Sequence, residues 1–356
     1  MADFSSTVLA AIDTRTKGYV DDFIDSGRST TLSSTDAVDT NKLPGFETKH
    51  VGKVRDIFMC EKLLVLITTD RQSAFDRQLA EVPCKGQVLN LLSFWWFQLS
   101  AAAGIPNAIV ATPHPNVTIA RRCDVFPVEF VMRGYITGTT STSLWMNYST
   151  RGMRTYCGHQ FPDGMKKNQK LDGIKLTPTT KSDVHDELIS AEEIVVRGLM
   201  SQAQWDQCSQ YAHTLFALGQ KTALEHGLIL VDTKYEFGID CETKQICLID
   251  EVHTPDSSRY WIAETYVEKM NKGEEPDNID KEFLRRWFTS KCDPYKDEVL
   301  PAAPAELVNE LSRRYIMIYE TLTESIFPKP TACSKGEEVA LALKEYFVAA
   351  TGSSQG

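Results

Sequence analysis

Apolar residues fall into two periods along the chain, and the elements follow from them. Residues 51–70 (VGKVRDIFMCEKLLVLITTD) predict two strands around a Cys60-Glu61-Lys62 turn, since LLVLITT is rich in strand formers and bounded by turn residues. Val88, Leu91, Leu92, Trp95, Trp96 and Leu99 recur at helical spacing. They predict a helix over 86–103, stopped by Gly104, with its Trp pair in the core. VTIARR and FPVEFVMRG read as further strands, the first preceded by a Pro-rich turn at 111–116. Ser190-Ala-Glu-Glu193 and Ser201-Gln-Ala-Gln204 have capping-box spacing, in which a hydroxyl and an acid or amide satisfy the backbone donors that open a helix. The second box starts a long helix ending at Gly227. LILVD, KYEFGID and QICLID read as three strands in quick succession, and 280–290 and 305–324 as helices.

A chain of 356 residues implies about two domains. Residues 1–42 read as a short helix and a polar, Ser/Thr-rich loop. Residues 43–125 are β-rich, 126–330 form a larger mixed domain, and 331–356 are a C-terminal extension with one amphipathic stretch. That extension is expected to be dispensable. Composition changes the picture only by exclusion. Hydrophobic residues at 42% and charged residues at 24% are those of a globular protein. A net charge of −10 argues against a sequence-independent nucleic-acid binder. Anionic substrates would need local Arg and Lys residues against that field. No apolar run reaches 18 residues, so no membrane partner is expected. The nine cysteines contain no C-x-x-C and no zinc spacing, so they read as reduced thiols. The early acids Asp3, Asp13 and Asp21 make a poor transit peptide. A cytoplasmic location is expected, or a plastid one if a presequence has been removed.

The candidate chemistry starts from motifs that are missing. There is no G-x-x-x-x-G-K-[ST], no G-x-G-x-x-G, and no H-R-D or D-F-G. The densest signal is Val231-Asp-Thr-Lys-Tyr-Glu236. Alternation in a strand puts Asp232, Lys234 and Glu236 on one face and Val231, Thr233, Tyr235 and Phe237 on the other. Three charges in a row on a buried face are unfavourable unless paired or bound to ligand. The next strand ends in Asp250-Glu251, which adds carboxylates suited to magnesium. From the pattern alone, a ligand patch and a surface salt-bridge face both remain open.

Four weaker signals accompany it. Gly52-Lys53 opens the first hairpin, either as a phosphate-binding turn or as a plain hairpin entrance. Arg133 leaves a strand carrying Glu129 into the loop Gly-Tyr-Ile-Thr-Gly138. Asp70-Arg-Gln-Ser73-Ala-Phe-Asp76 follows a strand end, where α/β sites often lie. In Thr254-Pro-Asp256-Ser-Ser-Arg259, the arginine either binds an anion through its planar fork or locks the turn through Asp256.

Taken in order, GKVRDIF, TTDRQSAFD, FPVEFVMRGYITG, LVDTKYEFG and DEVHTPDSSR resemble the successive blocks of the phosphoribosylaminoimidazole-succinocarboxamide synthase (SAICAR synthetase) family, in its longer yeast- and plant-type branch. The resemblance runs from about residue 43 to about 327. It implies an α+β fold, with an antiparallel β-rich N-terminal domain over a larger α/β domain of ATP-grasp or protein-kinase-like kind and ATP in the cleft. It implies an ATP-dependent carbon–nitrogen ligase of purine biosynthesis. That enzyme joins L-aspartate to carboxyaminoimidazole ribotide through an acyl phosphate, releasing ADP and phosphate. The alternative is an ATP-dependent kinase or ligase of similar architecture on another small anion.

Carried over block by block, the resemblance makes Lys53 a triphosphate ligand and Asp232 a nucleotide contact. Lys234 takes a substrate carboxylate, and Glu236 and Asp250 hold magnesium and nucleotide; these three are the candidate catalytic residues. Arg133 and Arg259 anchor the ribotide. Ser73, Asp76, Asp256, Lys181 and Thr139 are further substrate contacts. Thr139 stands where the family usually has Ser, and a hydroxyl is kept. The expected partners are these small molecules alone, in a monomer or small homo-oligomer.

Overall fold

The computed structural model describes residues 18, 31–75, 77–181, 187–279, 281–328 and 335–352. The expected short N-terminal helix lies for the most part outside the described residues. By backbone contact the chain divides into two units. The first takes the described residues up to Phe97, Ala108–Arg122 and those from Ile279 onward; the second takes Gln98–Asn107 and Cys123–Asn278.

In the first unit, β1 (Phe46–Val51), β2 (Arg55–Cys60) and β3 (Leu63–Thr68) form a meander, with β2 and β3 where the alternation places them. A hairpin follows, β4 (Arg71–Ala74) with β5 (Arg77–Glu81), then the helix α1 (Lys85–Ala102). Trp96 on α1 is buried, as its spacing predicts. Next, β6 (Ile109–His114) and β7 (Val117–Arg121) complete a five-stranded antiparallel sheet of order β1-β2-β3-β7-β6. The expected turn at 111–116 is therefore mostly strand; only Pro115 and Asn116 turn, and His114 pairs with Val117.

The second unit opens with β8 (Cys123–Val125) and β9 (Val128–Tyr135), followed by α2 (Leu144–Ser149), the small hairpin β10 (Thr155–Tyr156) and β11 (His159–Gln160), β12 (Lys170–Leu176) and β13 (Thr179–Thr180). The helices α3 (Ala191–Val196) and α4 (Gln202–Glu225) both start at the predicted capping boxes, whose reciprocal bonds are present at Ser190/Glu193 and Ser201/Gln204. LILVD and KYEFGID, expected as two strands, are one: β14 runs without a break from Leu228 to Asp240. β15 (Ile246–Ile249), β16 (Ser258–Ile262) and α5 (Ala263–Lys272) follow. β14 is the spine of a seven-stranded antiparallel sheet, pairing with β9, β15, β16 and β8, while β12 and β13 pair with β9. Its length follows from composition, since β-branched and aromatic residues fill the core-facing positions against α4.

The remaining helices, α6 (Glu282–Lys291), α7 (Ala305–Thr323) and α8 (Lys335–Gly352), belong to the first unit. Leu284, Phe288, Leu311 and Tyr315 bury their side chains with Val88 and Leu89 of α1. The C-terminal extension, expected to be dispensable, is packed into the core of the first unit. Val339, Leu343 and Phe347 of α8 are buried in one cluster with Val65, Ile67 and Val117 of the sheet. Burying three such side chains contributes on the order of 5 kcal/mol. All named strand pairs are antiparallel, so the fold is mixed α and β with antiparallel sheets. Among the described residues no helix is long and apolar enough to cross a membrane.

Candidate active site

The site is built on β14 and its two flanks. Asp232 pairs with Arg133 of β9 on one side and with Arg259 of β16 on the other, so three charged residues form one row across three strands. The Asp232 carboxylate accepts from the Arg259 guanidinium, and its Oδ2 lies 3.8 Å from Arg133 Nη1. Arg133 is itself fixed: Nε donates to Thr177 Oγ1 at 2.8 Å and Nη2 to the Thr142 carbonyl at 3.1 Å. Two guanidiniums on one carboxylate leave the row with surplus positive charge, which suits a phosphate or a second carboxylate.

Two residues along β14, the sign pattern changes. Lys234 Nζ donates to Glu129 Oε1 of β9 at 2.7 Å and to Glu236 Oε1 at 3.1 Å. The other Glu236 oxygen pairs with the Lys181 ammonium, and Thr179 Oγ1 donates to Glu129 Oε2 at 3.2 Å. Burial by itself would lower the Lys234 pKa. Glu236, Glu129 and Asp250 outweigh that and hold the ammonium well above its ordinary value. Register explains why Asp250 reaches it. Ile249 at the end of β15 faces Glu236, and Asp250 follows in the left-handed region at φ 65°. The expected alternation holds: Glu236 and Asp232 are buried on the charged face, and Val231, Thr233, Tyr235 and Phe237 on the other.

The rear face is pinned by a second set. The fully buried Tyr235 hydroxyl hydrogen-bonds His253 Nε2, and Tyr260 donates its hydroxyl to the His253 carbonyl at 2.8 Å. Burial lowers the His253 pKa to about 3, so the ring is neutral at pH 7. His253 stands at φ 50°, three residues after Asp250, and so bounds the segment that runs on to Arg259. That turn is closed by Thr254 and Ser257: Thr254 Oγ1 donates to Glu251 Oε2 at 2.6 Å and accepts from the Ser257 amide at 3.2 Å. Arg259, at the end of this turn, reaches across the ladder to Asp232. Asp256 is half-buried in the turn itself.

The structure thus brings Arg133, Lys181, Asp232, Lys234, Glu236, Asp250 and Arg259 onto one sheet face or its rim. Thr139 is exposed in the loop after β9. Gly138 before it has φ +94°, and a Cβ there would stand 2.5 Å from Ser143 Cβ and 3.8 Å from Arg259 Nη2, so the loop closes only on glycine. Lys53 is exposed and Ser73 half-buried in the first unit, and Asp76 lies outside the described residues. The Lys53 turn also needs its glycine, since a Cβ on Gly52 would stand 2.5 Å from the Arg55 carbonyl. Sequence reasoning passed over Glu129 as a site residue, together with Thr177 and Thr179. The signal was present for Glu129, which shares the strand face of Arg133 at a spacing of four. Nothing in the sequence marks the two threonines: Thr177 follows β12 and Thr179 opens β13, both strands paired with β9.

The carboxylates also bear on metal. Among the described residues no group of three or more His, Cys, Asp or Glu could enclose an ion. Glu236 and Asp250 fit a magnesium that takes one or two protein carboxylates and fills its shell with phosphate and water. Glu236 already has both oxygens turned toward cationic groups.

The chain resembles known proteins over most of its length. The family model described as SAICAR synthetase matches residues 48–302. A phosphoribosylaminoimidazole-succinocarboxamide synthase of Legionella pneumophila (strain Lens) is 58% identical over 282 residues, 79% of this chain and 89% of that protein. The chloroplastic synthase of Arabidopsis thaliana is 57% identical over 309 residues, 87% of this chain and 74% of that protein. A solved SAICAR synthase from Saccharomyces cerevisiae, complexed with SAICAR, superposes with a TM-score of 0.68 at 32% identity, covering 83% of this chain and 99% of that one.

Proposed function

The chain belongs to the SAICAR synthetase family, and from that membership we infer that it ligates L-aspartate to carboxyaminoimidazole ribotide, driven by ATP, in purine biosynthesis. The observation that carries the reading is the sheet face itself. A cationic row, Arg133–Asp232–Arg259, lies two residues along β14 from an acidic set gathered round one ammonium, Glu129–Lys234–Glu236. The arginines of the row suit the ribotide's phosphate; the acidic set suits the metal and nucleotide, and its Lys234 the carboxylate that reacts there.

A carboxylate is a poor acyl donor, because attack on it must expel oxide. In the proposed sequence the ribotide carboxylate oxygen takes the γ-phosphoryl group and ADP departs. The amine of aspartate then attacks the acyl carbon, loses a proton, and phosphate leaves. Such transfers need positioning and charge neutralisation more than a covalent role for the protein. Lys234, kept charged by its carboxylates, holds the reacting carboxylate. Arg133 and Arg259 fix the ribotide, with Thr139, Asp256, Ser73 and Asp76 as further substrate contacts. Lys53 takes the triphosphate and Asp232 the nucleotide, as in ATP-grasp and protein-kinase-like folds. Glu236 and Asp250 would hold magnesium, which when bound neutralises phosphate charge. Lys181 then turns from Glu236 to substrate. The described cysteines are thiols, in keeping with a reducing compartment, cytoplasm or plastid.

The test is ADP release with each substrate omitted in turn. Release should require aspartate and the ribotide together with ATP, and the succinocarboxamide should accumulate in step. ADP formed at full rate without aspartate would replace this reading with a kinase acting on a small anion.

A further inference from the structure

Two stretches outside the residues matched by the family model, 31–43 and Lys335–Gly352, meet in the first unit. Leu32 and Leu43 from one, and Val339, Leu343 and Phe347 from the other, are buried together on the five-stranded sheet. Both stretches converge on a single fully buried carboxylate. Asp70 Oδ2 accepts from the Leu32 amide at 2.7 Å and lies 3.5 Å from Lys335 Nζ, while Oδ1 accepts from the Gly86 amide at 2.7 Å. Lys335 is buried like its partner, and together with the buried Lys85 it offsets the cost of a charge on Asp70.

The next residue carries the connection onward. Arg71 Nη1 donates to the Ser33 carbonyl at 2.8 Å, and Nη2 donates to the Gly52 carbonyl at 2.9 Å and to Asp56 Oδ1 at 2.5 Å. Thr35 Oγ1 donates to the other Asp56 oxygen at 2.7 Å. A planar guanidinium bound to two carbonyls and a carboxylate has a single geometry. The place of the Gly52 carbonyl, immediately before Lys53, is therefore tied to the place of Ser33. Ser33 in turn is held through Leu32 by the carboxylate that Lys335 neutralises.

We propose that residues 31–35 and α8 form a clasp, anchored on Asp70, that positions the Gly52–Lys53 turn through Arg71, making Thr35 and Lys335 positioning residues for nucleotide use. The proposal rests on the reading of Lys53 as a triphosphate ligand. β1 and β2 hold the two ends of the turn, and Thr69 binds the Val54 carbonyl through its amide at 2.9 Å and its hydroxyl at 2.5 Å; the clasp adds an attachment at the Gly52 carbonyl.

The test uses the full chain with Thr35→Val, Lys335→Met and Lys335→Arg, and with Lys53→Ala as reference. The KM of each substrate is measured with the other two saturating, beside a thermal melt. Thr35→Val deletes one hydrogen bond at nearly constant shape, so it carries the test even if Lys335→Met fails to fold. The KM for ATP should rise on the order of three- to tenfold in Thr35→Val and Lys335→Met, with the KM for aspartate and ribotide unchanged and with partial rescue in Lys335→Arg. An unchanged ATP KM in folded Thr35→Val, with a raised one in Lys53→Ala, would overturn the clasp and leave the Lys53 reading standing. An unchanged ATP KM in Lys53→Ala would remove the Lys53 reading and the clasp with it. A parallel rise in all three KM values, tracking the fall in Tm, would reduce the network to stability alone and also overturn the proposal.

Discussion

Buried charge is used in two different ways in this molecule. In the first unit, Asp56–Arg71 and Asp70–Lys335 are enclosed almost completely, and backbone groups bind Asp70 and Arg71 beside their partners. In the second unit, Arg133–Asp232 is buried as well, but the other pairs on the β14 face each have one member more open to solvent than its partner. Glu236 is 5% exposed, but its partners Lys181 and Lys234 are 47% and 35% exposed. Asp232 is 13% exposed and Arg259 22%. An enclosed pair can only hold structure, since exchanging a partner would strand a charge. A half-open pair can give up a partner to an arriving phosphate or carboxylate, because the released cation returns to water. Charge in a buried sheet is therefore no sign of a site by itself; the sign is charge whose partners stay within reach of solvent.

Breaking an enclosed pair should have the largest effect, and on stability. Asp56→Asn leaves the Arg71 guanidinium with a weakened partner and should lower unfolding free energy by about 3 kcal/mol or more, measured by urea denaturation. Wild-type stability in that variant would erase the distinction between the two regions. On the open face the loss should be kinetic. Glu236→Gln keeps the shape and removes the charge that faces Lys181 and Lys234, so kcat should fall on the order of a hundredfold with a melt close to wild type. A full kcat in the folded variant would take Glu236 out of the site.

Between these lies the peg behind β14. His253 is held neutral with its pKa at about 3, below the ordinary 6.5. Its contribution to stability is whole above pH 6.5 and is lost as pH falls toward 3, because the unfolded chain takes up a proton that the folded one refuses. Between pH 7 and pH 5 this group should cost about 2 kcal/mol of unfolding free energy. His253→Gln should flatten that part of the profile, and urea midpoints at the two pH values would show it. A slope identical in wild type and variant would place the acid sensitivity elsewhere.

The smallest expected change sharpens the cationic row. Arg259→Lys keeps the charge and loses the fork, so the KM for the ribotide should rise about tenfold, about 1.4 kcal/mol. The KM for ATP and aspartate should hold nearly constant. An unchanged ribotide KM in a stable variant would confine Arg259 to its pair with Asp232.

Alternation alone placed Asp232, Lys234 and Glu236 on one face, because a strand has only two sides and the apolar residues claim one of them. The capping boxes at Ser190 and Ser201 and the helix carrying Trp95 and Trp96 were legible for the same reason: each is written within one turn or a few turns of chain. The order of the five blocks was likewise enough to identify the family. Tertiary structure decided whatever depends on residues far apart. It joined two expected strands into β14, set Ile249 opposite Glu236, and put Arg133 and Arg259 on either side of Asp232. It brought Glu129 to Lys234 over 105 positions and Lys335 to Asp70, which made a core element of a stretch that had looked dispensable. Local periodicity records which way a side chain faces. Register, and the partner a buried charge finds, are settled only when distant strands compete for the same hydrogen bonds and the same dry space.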